Sequence, residues 1–255
     1  MILVKKIQIP TLPTKKARRL YIYLPRDYER SDRRYPVLYM FDGHNVFYNS
    51  HATYGKSWGM KEYLEKSRLP IIVAAVECNH EGFRRLSEYS PWDFRERKIG
   101  DIEGLGKLTM EWITKTLKPE IDREFRTLPE REHTMIAGSS MGGVMSIYAA
   151  VEYNAFFSRA ASLSPYLRVA PKAMRQMIKA HPLQKPTRVY IDMGGAEVKG
   201  RVRALTEIFE LTGLLVKQGA EAAARVVPDG RHCEADWEKR IPVFMDYLLG
   251  DVLPE

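Results

Sequence analysis

The stretch IAGSSMGGVM at 136–145 sets two serines among three glycines, with apolar residues on either side. Glycine and serine are common, so Gly138-x-Ser140-x-Gly142 means little by itself. Here it follows the strand-like HTMIA and precedes the helix-like GGVMSIYAAVEY. A strand that turns this sharply into a helix strains the serine backbone, and glycines without a Cβ let the flanking segments approach. Ser140 Oγ would then project outward as a nucleophile. The helix N-terminus behind it would offer free N–H groups, that of Met141 among them, to an oxyanion. Ser139 is out of register for this role. The plainer alternative is a serine that caps the helix through its hydroxyl.

A hydroxyl nucleophile needs a base, and the base needs an acid to orient it. Of the six histidines, His232 in PDGRHCEADW alone lies downstream of every expected strand, and it is the candidate base. His44, His51, His80, His133 and His181 are less well placed. Nucleophile, acid and histidine in that chain order put the acid after TRVYIDMGG. Two carboxylates qualify there: Asp192, still within the strand, and Glu197, in the loop GGAEVKG.

The elements that must carry these groups read as alternating strands and helices. VKKIQI and RRLYIYLP suit an antiparallel pair at a sheet edge. YPVLYMFDG, PIIVAAVECN, HTMIAGS, RAASLSP, TRVYIDMGG and AAARVVPDG are apolar runs suited to strands buried on both faces. Leu105, Leu108, Trp112, Ile113, Leu117, Ile121 and Phe125 recur at helical spacing, as do Val202, Leu205, Ile208 and Phe209. The pattern implies an α/β fold with a mainly parallel sheet, helices on both faces, and ligands beyond the carboxyl ends of the strands. Pro119 is expected to end or kink the helix of 105–118. No linker, repeat or low-complexity segment divides the 255 residues, so one domain over 1–255 is expected. The weakly patterned stretch 79–104 is expected as a loop over the site. Its Tyr89, Trp92 and Phe94 would form either an apolar pocket wall or a core plug.

The formal charge is +8, but the basic residues are scattered and stand beside acidic ones, without the interleaved aromatics of a nucleic-acid groove. Nucleic acid is therefore not an expected partner, whereas attraction to an anionic substrate stays open. The opening MILVKKIQIPTLPTKKARRL is broken by lysines and prolines. It suits neither a signal peptide nor a membrane span, so a cytoplasmic protein without membrane insertion is expected. Cys78 and Cys233 are too few for a disulfide framework and lack paired zinc spacing, so both are expected reduced and buried, with no metal site.

Taken together, VLYMFDGHNVF, EYSPWDF, LKPEIDREFRT, IAGSSMGG, SLSP, VYIDMGGAE and HCEADWEKRIPVFMDYL make residues 20–250 resemble the putative esterase family related to esterase D. That family is a branch of the α/β-hydrolase superfamily with feruloyl, acetyl and siderophore esterases among its members. The resemblance implies an α/β-hydrolase fold of about eight strands, Ser140 as nucleophile, His232 as base and Glu197 as acid. It also implies that the DGHN loop completes an oxyanion hole, with a backbone N–H of His44 or Asn45 joining that of Met141. After Ser164-Pro165 the chain has Tyr-Leu-Arg where relatives often carry a tryptophan nearby, so the pocket shape differs there. The expected activity is cofactor-free and metal-free hydrolysis of a small, aryl or sugar ester through an acyl-enzyme, by a chain that could self-associate. Acyl transfer by the same triad and a non-catalytic binding protein with a decayed site are the alternatives.

Overall fold

The computed structural model describes residues 1–198, 202–250 and 252, so the expected domain of 1–255 extends beyond the described residues. The strands are β1 (Ile2–Ile7), β2 (Arg18–Tyr23), β3 (Val37–Phe41), β4 (Ile72–Val76), β5 (Phe94–Glu96), β6 (Gly100–Ile102), β7 (Thr134–Ser139), β8 (Arg159–Leu163), β9 (Arg188–Gly194) and β10 (Glu221–Val227). Eight of them form one sheet in the order β1-β2-β4-β3-β7-β8-β9-β10. The two junctions made by β2, with β1 and with β4, are antiparallel, and every other junction is parallel. The sheet is the expected α/β-hydrolase architecture. β5 and β6 make a separate two-stranded ribbon.

The helices are α1 (Met60–Ser67), α2 (Arg84–Glu88), α3 (Gly106–Trp112), α4 (Lys118–Glu124), α5 (Met141–Glu152), α6 (Pro171–Ala180), α7 (Val202–Lys217), α8 (Glu234–Glu238) and α9 (Ile241–Leu249). Alternate residues of the central strands feed two apolar layers, because successive strand side chains point to opposite faces. Tyr39, Ile136, Ala160 and Ile191 pack with Val144 and Ile147 of α5 and Ile208 of α7. Leu38, Met135, Ala161 and Tyr190 pack with Leu64 of α1, Trp237 of α8 and Phe244 of α9. Strands covered on both sides need no polar face, which is why their sequences are nearly continuous apolar runs. Among the described residues no helix is long and apolar enough to cross a membrane.

Two expectations about helices are adjusted. Pro119 does not end its helix; the distortion falls just before it, where a π-turn at Ile113–Leu117 links α3 to α4, and Pro119 stands in the first turn of α4. The widened turn shifts the hydrogen-bond register around the missing amide. In α7 the buried stripe runs through Ile208, Leu211 and Leu215, with Phe209 52% exposed beside it; the Val202 side chain lies outside the described residues. The stretch 79–104 is also more ordered than a loop, since it holds α2 and the β5–β6 ribbon.

Candidate active site

Ser140 occupies the single residue between β7 and α5, with φ 57° and ψ −118°, a left-handed backbone that side-chain-bearing residues rarely adopt. Its N–H donates to the Leu163 carbonyl at 3.0 Å and its carbonyl accepts the Tyr166 N–H at 3.1 Å, so the end of β8 holds the strain in place. The corner is tight enough that a Cβ on Gly138 would stand 2.7 Å from the Gly142 carbonyl carbon. The Ser140 hydroxyl makes no capping bond to α5, so the capping alternative is not realised.

His232 arrives on the loop between β10 and α8, and its Nδ1 lies 2.6 Å from Glu197 Oε2, in a short 3-10 turn after β9. The ring is 43% exposed and the carboxylate only 10%. Glu197 Oε1 accepts bonds from Ser164 Oγ at 2.6 Å and from the Gly194 N–H at 3.0 Å. Burial alone would raise this carboxyl, but the bonds from His232 and Ser164, with the Arg240 charge nearby, hold it below the usual range.

Asp192 is placed differently. It is fully buried, 2.8 Å from Arg240 Nη1, and accepts the Tyr190 hydroxyl at 3.2 Å. Burial pushes its pKa up, with Arg240 opposing. Arg240 also donates to Ser164 Oγ at 2.9 Å and lies 3.5 Å from Glu197. Trp237 Nε1 donates to the same Ser164 oxygen at 3.3 Å while its ring stands edge-on to His232, centroids 5.0 Å apart. Sequence reasoning missed Ser164, Trp237 and Arg240. Arg240 closes the charged run Glu238-Lys239-Arg240 and reads as a surface residue, yet it is 2% exposed.

The turn after β3, Gly43–Asn45, packs on the end of β4, where a Cβ on Gly43 would strike the Ala75 carbonyl. The Asn45 N–H donates to the Asp42 carbonyl at 2.8 Å, which leaves His44 as the candidate second oxyanion donor beside Met141. Asp42 adopts φ 57° and is gripped by Arg85 through two 2.7 Å bonds. Asn45 Nδ2 donates to Glu234 Oε1 at 3.1 Å, tying this turn to α8.

Two cavities flank His232. One, of about 710 Å³, is lined by Ser140, His232, Asn45, Tyr54, Lys56 and Arg85 among others. The other, of about 840 Å³, holds Glu197, Tyr166, Arg168 and Arg203 but not Ser140. The smaller one therefore contains both reacting groups. Among the described residues no hydrogen bond within 3.5 Å joins Ser140 Oγ to His232, a contact that often tightens only with substrate bound. Tyr89, Trp92 and Phe94 line neither cavity. Tyr89 is buried against Phe41 and accepts the Asp42 N–H, Trp92 packs edge-on to Tyr148, and Phe94 packs against the core. In this arrangement they pack against the core, which is the plug alternative, and line neither cavity.

Comparisons with known proteins agree with this architecture. Over 150 residues the chain is 27% identical to the uncharacterized protein YbbA of Bacillus subtilis, covering 58% of this chain and 56% of that protein. Over 181 residues it is 28% identical to Esterase MT1326 of Mycobacterium tuberculosis, covering 70% and 35%. It thus spans from about a third to somewhat more than half of the lengths of these curated relatives. The crystal structure of an IroE-like serine hydrolase from Shewanella oneidensis superposes with a TM-score of 0.80 at 18% identity, covering 100% of this chain and 82% of that one. The family described as putative esterase matches residues 13–246, nearly the whole chain. On that match the chain belongs to the putative esterase family, and it carries the fold of a carboxylesterase-type hydrolase.

Proposed function

We propose that the protein hydrolyses a small, aryl or sugar carboxylic ester through a Ser140 acyl-enzyme, with His232 as base and Glu197 as its orienting acid. The observation that carries this reading is the 2.6 Å His232–Glu197 contact at the edge of the cavity that also holds the strained Ser140. Rotation of the half-exposed imidazole brings Nε2 to Ser140, takes the hydroxyl proton and lets Oγ attack the ester carbonyl. The N–H groups of Met141 and His44 receive the oxyanion. Protonated His232, steadied by Glu197, returns the proton to the departing alcohol. Water then enters, gives a proton to His232 and attacks the acyl carbon; His232 returns that proton to Ser140 Oγ as the acyl–oxygen bond breaks, releasing the acid and restoring Ser140.

Labelling with a fluorophosphonate, followed by a panel of p-nitrophenyl, aryl and acylated-sugar esters, tests the reading. The parent protein should be labelled at Ser140, and Ser140→Ala should lose the label and at least about 10³-fold in turnover with its fold intact. Turnover of an aryl ester by purified Ser140→Ala near the parent rate would refute the nucleophile.

A further inference from the structure

Beside the reacting groups, the structure gathers three side chains that the proposed hydrolysis does not use. β3 and β4 are parallel neighbours with Phe41 beside Val76, so the residues that follow them emerge together: His44 from the first, Cys78 and His80 from the second. One donor atom each from His44, Cys78 and His80 lie within 4.8 Å of one another. His44 and Cys78 are each 2% exposed, and Cys78 is in no disulfide but lies beside the Asp42 carboxylate, whereas the His80 side chain is 44% exposed. The two rings stand edge to face, centroids 4.4 Å apart.

Each imidazole is already held by one nitrogen. His44 Nε2 lies 3.0 Å from Thr53 Oγ1, and His80 Nε2 lies 3.0 Å from Glu77 Oε1. His44 Nδ1, almost wholly buried, has no hydrogen-bond partner. A buried ring nitrogen without a partner is unfavourable unless something occupies it. The arrangement is that of metal-binding histidines, in which a hydroxyl or carboxylate fixes one nitrogen and the other faces the ion. Arg85, the cation nearby, is already neutralised by its two bonds to Asp42.

We propose that His44 Nδ1, Cys78 Sγ and His80 Nδ1 bind zinc at the rim of the Ser140 cavity, and that the bound ion slows ester hydrolysis. One thiolate and two imidazoles are a donor set for a borderline-soft divalent ion, and zinc accepts it in tetrahedral geometry. Bond lengths of about 2.0–2.3 Å hold such donors roughly 3.3–3.8 Å apart, so binding draws the cluster together by about 1 Å. The exposed His80 ring supplies part of that closure, and the Cys78 proton leaves to solvent as the Sγ–zinc bond forms. The inhibitory half of the proposal rests on the esterase reading. His44 sits in the turn whose N–H is assigned to the oxyanion, and a displacement of about 1 Å at such a group can reduce turnover about 10²-fold.

The test titrates metal-free protein with cobalt(II), whose thiolate charge-transfer band reports Cys78 and whose visible bands report tetrahedral geometry, then displaces it with zinc. One ion per chain, with a thiolate band lost in Cys78→Ser, is expected. Because Cys78 is buried and its serine variant could unfold, His80→Ala at the exposed ligand serves independently. It should weaken metal binding by at least about 100-fold, more than is lost when a second-shell group is removed. Zinc should slow the parent at least about tenfold, and His80→Ala, measured against its own metal-free rate, should need at least about 100-fold more zinc for the same effect. Absence of the thiolate band in folded parent protein overturns the site. Equal zinc inhibition of parent and His80→Ala overturns the coupling. The titration is repeated on Ser140→Ala: a band there, in a protein whose parent hydrolyses no ester, would retain the zinc site while the esterase reading fell.

Discussion

Replacing Glu197 by Gln removes one charge and keeps the shape, and its effect can be worked out from the contacts. Glu197 Oε1 accepts from Ser164 and Gly194, so the glutamine oxygen stays on that side and its NH2 turns toward His232 Nδ1. Two donors then face each other. The ring must move its proton to Nε2, the nitrogen that has to accept one from Ser140. The lost charge adds to this. Unit charges about 4 Å apart attract by about 4 kcal/mol at an effective dielectric of about 20. Because the His232 ring is 43% exposed, roughly half of that survives screening, or about 30-fold in rate. With the wrong tautomer included, the loss in kcat should lie between about 30-fold and 10⁴-fold, while KM changes little. Asp192→Asn should act on stability instead, since it removes the 2.8 Å partner of the buried Arg240 charge and leaves it only Glu197 at 3.5 Å. About 3–5 kcal/mol is expected, or roughly 6–20 °C in Tm. The assay is kcat, KM and Tm for both variants on one aryl ester. A folded, inactive Asp192→Asn beside a nearly normal Glu197→Gln would refute the assignment of the acid.

Trp92→Ala should destabilise by about 2–3 kcal/mol, as expected for a partly buried plug. Its relative rates across acyl chain lengths should match the parent's, and a changed preference would return Trp92 to the pocket wall. For stability against pH, burial would raise Asp42, Glu77 and Glu197, but Arg85, the His80 and Arg19 contacts, and the His232 contact respectively hold each below its ordinary value. The unfolded chain therefore binds more protons at acid pH. The stabilisation is present above about pH 4 and lost as pH falls through the folded values, partly offset by Asp192 and Glu234, which burial raises. Tm measured from pH 6 to pH 2 should fall, and Glu77→Gln should flatten the fall; an unchanged slope in that variant would exclude Glu77 as a contributor.

The elbow was legible because a strand–serine–helix corner restricts residue type so strongly that glycines mark it in the chain. The sheet was legible because strands covered on both faces leave nearly continuous apolar runs. The candidate histidine and acid followed from chain order and the resemblance favoured Glu197 over Asp192; in the structure β9 carries Asp192 into the core, and the turn after it brings Glu197 to His232. Arg240 was hidden because a buried cation is written like an exposed one until its partners, Asp192 and Ser164, arrive from other strands. The His44–Cys78–His80 cluster was hidden for a related reason: parallel pairing of β3 and β4 joins positions far apart in the chain. Aromatic content left a pocket wall or a core plug open at Tyr89, Trp92 and Phe94, and only the direction of α2 and the β5–β6 ribbon shows which way those rings face.

The buried guanidinium of Arg240 has a further consequence for Asp192, Glu197 and His232 around it. Two carboxylates share this one fixed cation, so with a neutral imidazole the four groups carry a surplus of one negative charge. Protonation of His232 cancels the surplus. On the mechanism proposed above, the cluster is electrically balanced when the imidazole has taken the serine's proton and carries the surplus in the resting site. Because the Arg240 guanidinium is buried and held by Asp192 and Ser164, that positive charge is part of the packing and needs no rearrangement at the moment of the proposed reaction.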